Sequence, residues 1–104
     1  MLFRSQFIVD AKDIVFLETV ESRVRVCTRK EVYEAKQKLY ELEAILREKR
    51  FLRISKSTLL NLMKIKSIKP ALNGRFMAVL FSGEETVISR KYVPEFKRAL
   101  KGGN

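Results

Sequence analysis

Asn73-Gly74, followed at once by the apolar run RFMAVLF (75–81), is the feature that most narrows the fold. Both central positions of a type I′ turn need a positive φ, and Asn-Gly supplies it readily, so the segments on either side are expected to pair as an antiparallel hairpin. Similar punctuation recurs along the chain. LFRSQFIV (2–9) reads as a first strand, broken by the turn formers of DAKD. IVFLE (14–18) has the short apolar run of a strand buried on both faces. SRVRVCT (22–28) alternates, with Val24 and Val26 on one face and Arg23, Arg25 and Cys27 on the other. Residues 31–34 continue this meander after a turn at Arg29-Lys30. FLRI (51–54) is the next strand, and the serine-rich stretch after it reads as a turn or short helix ending near Asn61. IKSIK (65–69) is extended, with Pro70 ending its pairing. Ser82-Gly83 is a further turn, and residues 86–89 pair back.

Two segments carry helical spacing instead. Ala35, Leu39, Leu42 and Leu46 form one stripe on a helix expected over 36–48. Glu34 with Lys38 and Glu43 with Arg47 are i,i+4 pairs worth only ~0.3 kcal/mol each. This helix is too short for a coiled coil and should pack on a sheet. Tyr92, Val93, Phe96, Ala99 and Leu100 make a second stripe, and Pro94 places its start near Lys91 or Tyr92. The sum is a mainly antiparallel β domain of seven or eight short strands, one mid-chain helix and one C-terminal helix. Residues 1–100 form the domain and 101–104 a flexible tail.

Composition removes most chemistry. At 104 residues, with 46% hydrophobic and 33% charged, the chain suits one globular domain with a modest core. No run approaches the ~20 apolar residues of a membrane span, and MLFRSQFIVD lacks the pattern of a secretory signal. The single Cys27 excludes an internal disulfide and fits a reducing, cytoplasmic compartment. Without histidine there is no Ser-His-Asp triad, no Cys-His pair and no His-ligated metal, and one cysteine makes no thiolate zinc site. The expectation is a non-enzyme with no catalytic residue, metal or cofactor.

Charge points to a partner. The formal net charge is +10. Residues 1–50 hold eleven Lys/Arg and nine Asp/Glu, whereas residues 51–104 hold eleven and three. Positions 49–83 contain no acid at all. Such a lopsided field suits a polyanion, and solubility alone does not require excluding acids from so long a stretch. The expected helix over 36–48 carries Glu41, Glu43 and Glu48 and is a poor reader of a DNA groove. The cations Arg23, Arg25, Lys56, Arg90 and Lys91 sit instead at strand ends and turns. If the domain binds DNA, it reads with loops.

FLRISKSTLLNLMKIKSI, followed by NGRFMAVLFSGEETVISRKYVPEFKRAL, resembles the LytTR DNA-binding domain of bacterial transcription regulators. Arg53, Ser57, Asn61, Ser89, Arg90 and Tyr92 match that family's pattern, and DIVFLETVESRVRV resembles its upstream segment, so the likeness covers residues 2–100. Ser55 stands where His is usual, and Lys56 where Arg or Asn often stands. The resemblance implies an elongated set of small β-sheets. It also implies loop contacts to bases in two successive major grooves and the minor groove between. On this chain those base contacts fall at Arg23, Lys56 and Arg90. Arg25, Ser57, Ser89 and Lys91 fall to the DNA backbone, with Arg25 also the alternative first base contact. The implied partners are double-stranded DNA carrying direct repeats, a receiver or other regulatory domain in the full-length protein, and a second copy on DNA.

Other readings of single residues are plainer. Arg53 can pair with Glu18 or another acid, Asn61 suits a turn or cap, and Tyr92 and Phe96 suit a helix core. An RNA- or single-strand-binding β module is the alternative function, but it wants aromatics on an exposed sheet face. An anionic membrane surface wants a strongly basic amphipathic helix with exposed apolar bulk, which the chain lacks.

Overall fold

The computed structural model describes residues 2–4 and 7–102. Strands β1 (Leu2–Arg4) and β2 (Phe7–Val9) pair antiparallel, Leu2 opposite Val9 and Arg4 opposite Phe7. The run expected to be one strand is therefore two short strands paired with each other. Asp10 ends it, its carboxylate accepting the Lys12 N–H at 3.2 Å in a 3-10 turn.

The centre of the molecule is a five-stranded antiparallel sheet. Its members are β3 (Ile14–Val20), β4 (Arg23–Thr28), β5 (Val32–Ala35), β6 (Phe51–Ser55) and β7 (Thr58–Asn61), in the spatial order β5-β4-β3-β7-β6. β3 is flanked on both sides, as its near-continuous apolar run anticipated. One face packs Ile14, Leu17, Val24, Val26 and Leu59 against Leu39, Leu42 and Leu46 of α1 (Leu39–Leu46). The other face sends Val15, Ile54 and Leu60 into a second core. Two-sided burial of one sheet gives a small domain two cores from few residues, which suits a chain with a modest apolar content.

Three expectations need correction here. The stretch after FLRI includes a strand: Leu59 and Leu60 are both fully buried but in opposite cores. Strand alternation provides that and a helical turn does not. Ala35 is the last residue of β5 rather than the first rung of the helix, which begins at Leu39. Glu34 is consequently on a strand, and its partner is Arg23 at 3.6 Å rather than Lys38. The pair Glu43 and Arg47 does form, at 4.0 Å.

The second core is closed by a three-stranded antiparallel sheet of β8 (Ile65–Pro70), β9 (Phe76–Leu80) and β10 (Glu85–Ile88), with β9 central. Asn73 (φ 60°) and Gly74 (φ 77°) both lie in the left-handed region, and Arg75 N–H donates to the Leu72 carbonyl at 3.3 Å. The hairpin signal is met. After a 3-10 turn at Arg90–Tyr92, α2 (Val93–Gly102) lays Val93 and Phe96 into the same core, with Ala99 and Leu100 at its edge. Lys101 and Gly102 are thus helical, beyond the boundary expected for the tail, and Gly103 and Asn104 lie outside the described residues. The described residues hold ten strands where seven or eight were expected, and the molecule measures 40 × 25 × 24 Å.

Asn61 is the buried polar residue that joins the parts. Its Nδ2 donates to the Ile14 carbonyl at 2.8 Å, and its Oδ1 accepts the Met63 N–H at 3.0 Å. It is a cap, as its position after two leucines suggested, and it ties β7 to the start of β3.

Candidate nucleic-acid interface

The basic turns are brought together by backbone hydrogen bonds. β3 and β4 are joined by Glu21-Ser22 alone, both in the left-handed region at φ 52° and 68°. Arg23 is therefore the first residue of a strand directly after a tight turn. At the same end of the sheet, Lys56 and Ser57 form the β6–β7 turn, and Thr19 N–H donates to the Ser57 carbonyl at 2.9 Å. On the other side of that turn, Ser89 N–H donates to the Ile54 carbonyl at 2.8 Å and places Arg90 next in line. The order across the molecule is Arg23, then Lys56, then Arg90, each on a segment locked to its neighbour.

Each side chain stands in a different setting. Arg23 is exposed and its guanidinium lies 3.6 Å from Glu34. An exposed pair of this kind is worth no more than ~1 kcal/mol, so an incoming phosphate or base can displace it. Arg25 stands opposite Glu18 on β3 and Glu34 on β5 in register, so two carboxylates flank its charge. Lys56, Ser57, Arg90 and Lys91 are exposed, and Ser89 is half-buried. Lys91 lies 5.8 Å from the centre of the Tyr92 ring. Ser57 N–H donates to Ser55 Oγ at 3.3 Å, so the serine standing where the family prefers His shapes the turn from within.

Arg53 is resolved in favour of structure. Its Nε and NH2 donate to Glu43 Oε1 at 3.1 and 2.7 Å, and its NH1 donates to the Lys56 carbonyl at 2.6 Å. The acid is on α1 and is not Glu18. One guanidinium thus clamps the Lys56 turn to the helix behind it.

Two lysines join the site unforeseen. Lys36 and Lys38, expected on a helix, line a groove of about 580 Å³ with Ser22, Arg23 and the Glu34 carboxylate. No local signal reveals this, because it depends on β5 ending at Ala35. Cys27 is buried, and burial followed by the nearby Glu18 carboxylate pushes its thiol up to about 11, so it is a poor thiolate at neutral pH. Among the described residues no group of three or more His, Cys, Asp or Glu could hold a metal, and no helix is long and apolar enough to cross a membrane.

Comparison with known proteins agrees with this fold. Residues 4–101 match the family described as the LytTr DNA-binding domain. The sensory transduction protein LytT of Bacillus subtilis is 32% identical over 93 residues, covering 89% of this chain and 39% of that protein. LytT of Bacillus cereus is 31% identical over 94 residues, covering 90% of this chain and 38% of that protein. An uncharacterized HTH-type transcriptional regulator of Staphylococcus aureus is 31% identical over 93 residues, covering 89% of this chain and 63% of that protein. The chain thus spans well under half of the LytT proteins. A solved LytTr DNA-binding domain of a Bacillus cereus response regulator superposes with a TM-score of 0.85 at 25% identity, covering 95% of this chain and 93% of that one. With this match over residues 4–101 and a fold of two short helices around small antiparallel sheets, the chain belongs to the LytTR DNA-binding domain family of bacterial transcription regulators.

Proposed function

We propose that the domain binds double-stranded DNA sequence-specifically as the output module of a cytoplasmic transcriptional regulator. It reads bases with Arg23, Lys56 and Arg90 in successive grooves. The observation that carries this reading is the pair of backbone bonds, Thr19 to Ser57 and Ser89 to Ile54, that set three basic segments side by side. Arg90 is suited to bidentate bonding with guanine O6 and N7, and Lys56 to the width and potential of a minor groove. Arg25, Ser57, Ser89 and Lys91 contact phosphates and set register. The longer LytT relatives fit a regulatory domain elsewhere in the full-length protein, with two copies of this domain on direct repeats.

The single-strand alternative finds little support. Phe51 and Phe96 are buried, and Phe16 and Phe76 are half-buried. Phe81 is 69% exposed, but it sits beside Lys64 at the end of the three-stranded sheet away from the Asn73-Gly74 turn and Arg90. A stacking platform needs several such rings beside the cations.

Titration of a labelled duplex at several salt concentrations tests the reading. Neutralising six to eight phosphates predicts a slope of log K against log[salt] of about −5 to −7. The duplex should outcompete the same sequence as a single strand. Equal competition by single strands would contradict groove reading.

A further inference from the structure

The Asn73-Gly74 turn has a second use beyond closing its hairpin. A methyl group built on the Gly74 Cα would lie 3.0 Å from Arg90 Cδ and 3.2 Å from Arg90 Cγ. The aliphatic stem of Arg90 therefore rests on the bare backbone of a neighbouring turn. Among the described residues no carboxylate or carbonyl holds the Arg90 guanidinium. The stem is restrained from below while the head is left open to solvent. This is the arrangement that restricts a long side chain in advance of binding without occupying its donors.

We propose that Gly74 is a specificity-determining positioning residue. Its missing side chain lets the Arg90 stem lie across the turn, and this aims the guanidinium at its base. The inference rests on the reading of Arg90 as a base contact.

The chain contains its own control. Gly83 also has a positive φ, at +97°, but a Cβ there meets nothing within 4 Å. Alanine at either position strains the backbone, and only at position 74 does it also displace Arg90. The 104-residue chain and the variants Gly74→Ala, Gly83→Ala, Arg90→Ala and Gly74→Ala/Arg90→Ala would be titrated with selected duplexes varied one base pair at a time. Arg90→Ala is expected to lose about 5- to 150-fold of guanine preference at one base pair, the range of a single bidentate contact. Gly74→Ala should lose about 5-fold or more at that same base pair, on the same scale. Gly83→Ala should keep the wild-type profile, and Gly74→Ala should change nothing further once Arg90 is alanine. Gly74→Asn, whose backbone bears a positive φ with less strain, carries the same test if Gly74→Ala does not fold.

The outcomes separate the two claims. If Arg90→Ala loses its preference while Gly74→Ala and Gly74→Asn match Gly83→Ala, the positioning role is overturned and the base contact stands. An equal effect of Gly74→Ala with and without Arg90 also overturns it. If Arg90→Ala keeps the wild-type profile, the base contact fails and the positioning role falls with it.

Discussion

Replacing Arg53 by alanine is expected to destabilise the domain by about 2–3 kcal/mol and, separately, to weaken duplex binding by the folded protein. The side chain is 17% exposed and its partner Glu43 25%, so loss of Arg53 leaves a shielded carboxylate with only the longer 4.0 Å contact to Arg47. Removing one partner of a fully buried pair costs roughly 3–5 kcal/mol, and the remaining solvent access lowers the figure here. The binding effect has a different origin. Arg53 NH1 holds the Lys56 carbonyl at 2.6 Å, so alanine frees the turn that presents Lys56. Arg53→Lys should recover less than half of the stability. An ammonium on a flexible stem does not reproduce a fork that uses Nε, NH1 and NH2 at once. Chemical denaturation of Arg53→Ala, Arg53→Lys and Glu43→Gln measures this. Near-wild-type stability for Arg53→Ala would show the clamp to be ornamental.

Ile54→Ala should be the most damaging single truncation beside the site, costing about 3–4 kcal/mol. Ile54 is fully buried in the core that joins the central sheet to β10 and α2 through Ile88, Val93 and Phe96. A small domain holds on the order of 5–10 kcal/mol in all, so the midpoint of thermal unfolding should fall by about 20 °C. The Ile54 carbonyl still accepts the Ser89 N–H after truncation, since that bond is to backbone. The folded variant should therefore keep its base preferences in the cold. A changed preference in the folded variant would mean that the core and the reading surface are not separable as described.

Several elements were legible because their cause is local. Asn73-Gly74 announces its turn through the φ each residue tolerates, and Asn61 announces a cap through its side-chain amide. The helix stripe at Leu39, Leu42 and Leu46 was plain, but Ala35 extended it falsely. A strand residue four positions before a leucine has the same spacing as a helical one, and pairing with Val24 decides the matter. The strand at 58–61 was obscured for a related reason. Thr58-Leu59-Leu60 carries no alternation because both of its faces are buried, so period gives no signal.

The site divides in the same way. Arg23, Lys56 and Arg90 are proposed because they stand at strand ends and turns and match a family pattern, Lys56 and Arg90 also lying in the acid-poor half. Their supports could not be named. The Glu43 to Arg53 clamp, the Gly74 floor under Arg90 and the groove at Lys36 and Lys38 all arise from contacts between segments distant in sequence or from where one strand stops.

The most direct measurement is selection of bound sequences from a random duplex library, run with the wild-type chain and with Arg90→Ala in parallel. The account predicts a repeated motif for the wild type. Arg90→Ala should lose information at one base pair in each repeat while keeping the rest. A wild-type pool that stays random would contradict sequence reading by these turns and reduce the basic surface to an electrostatic patch.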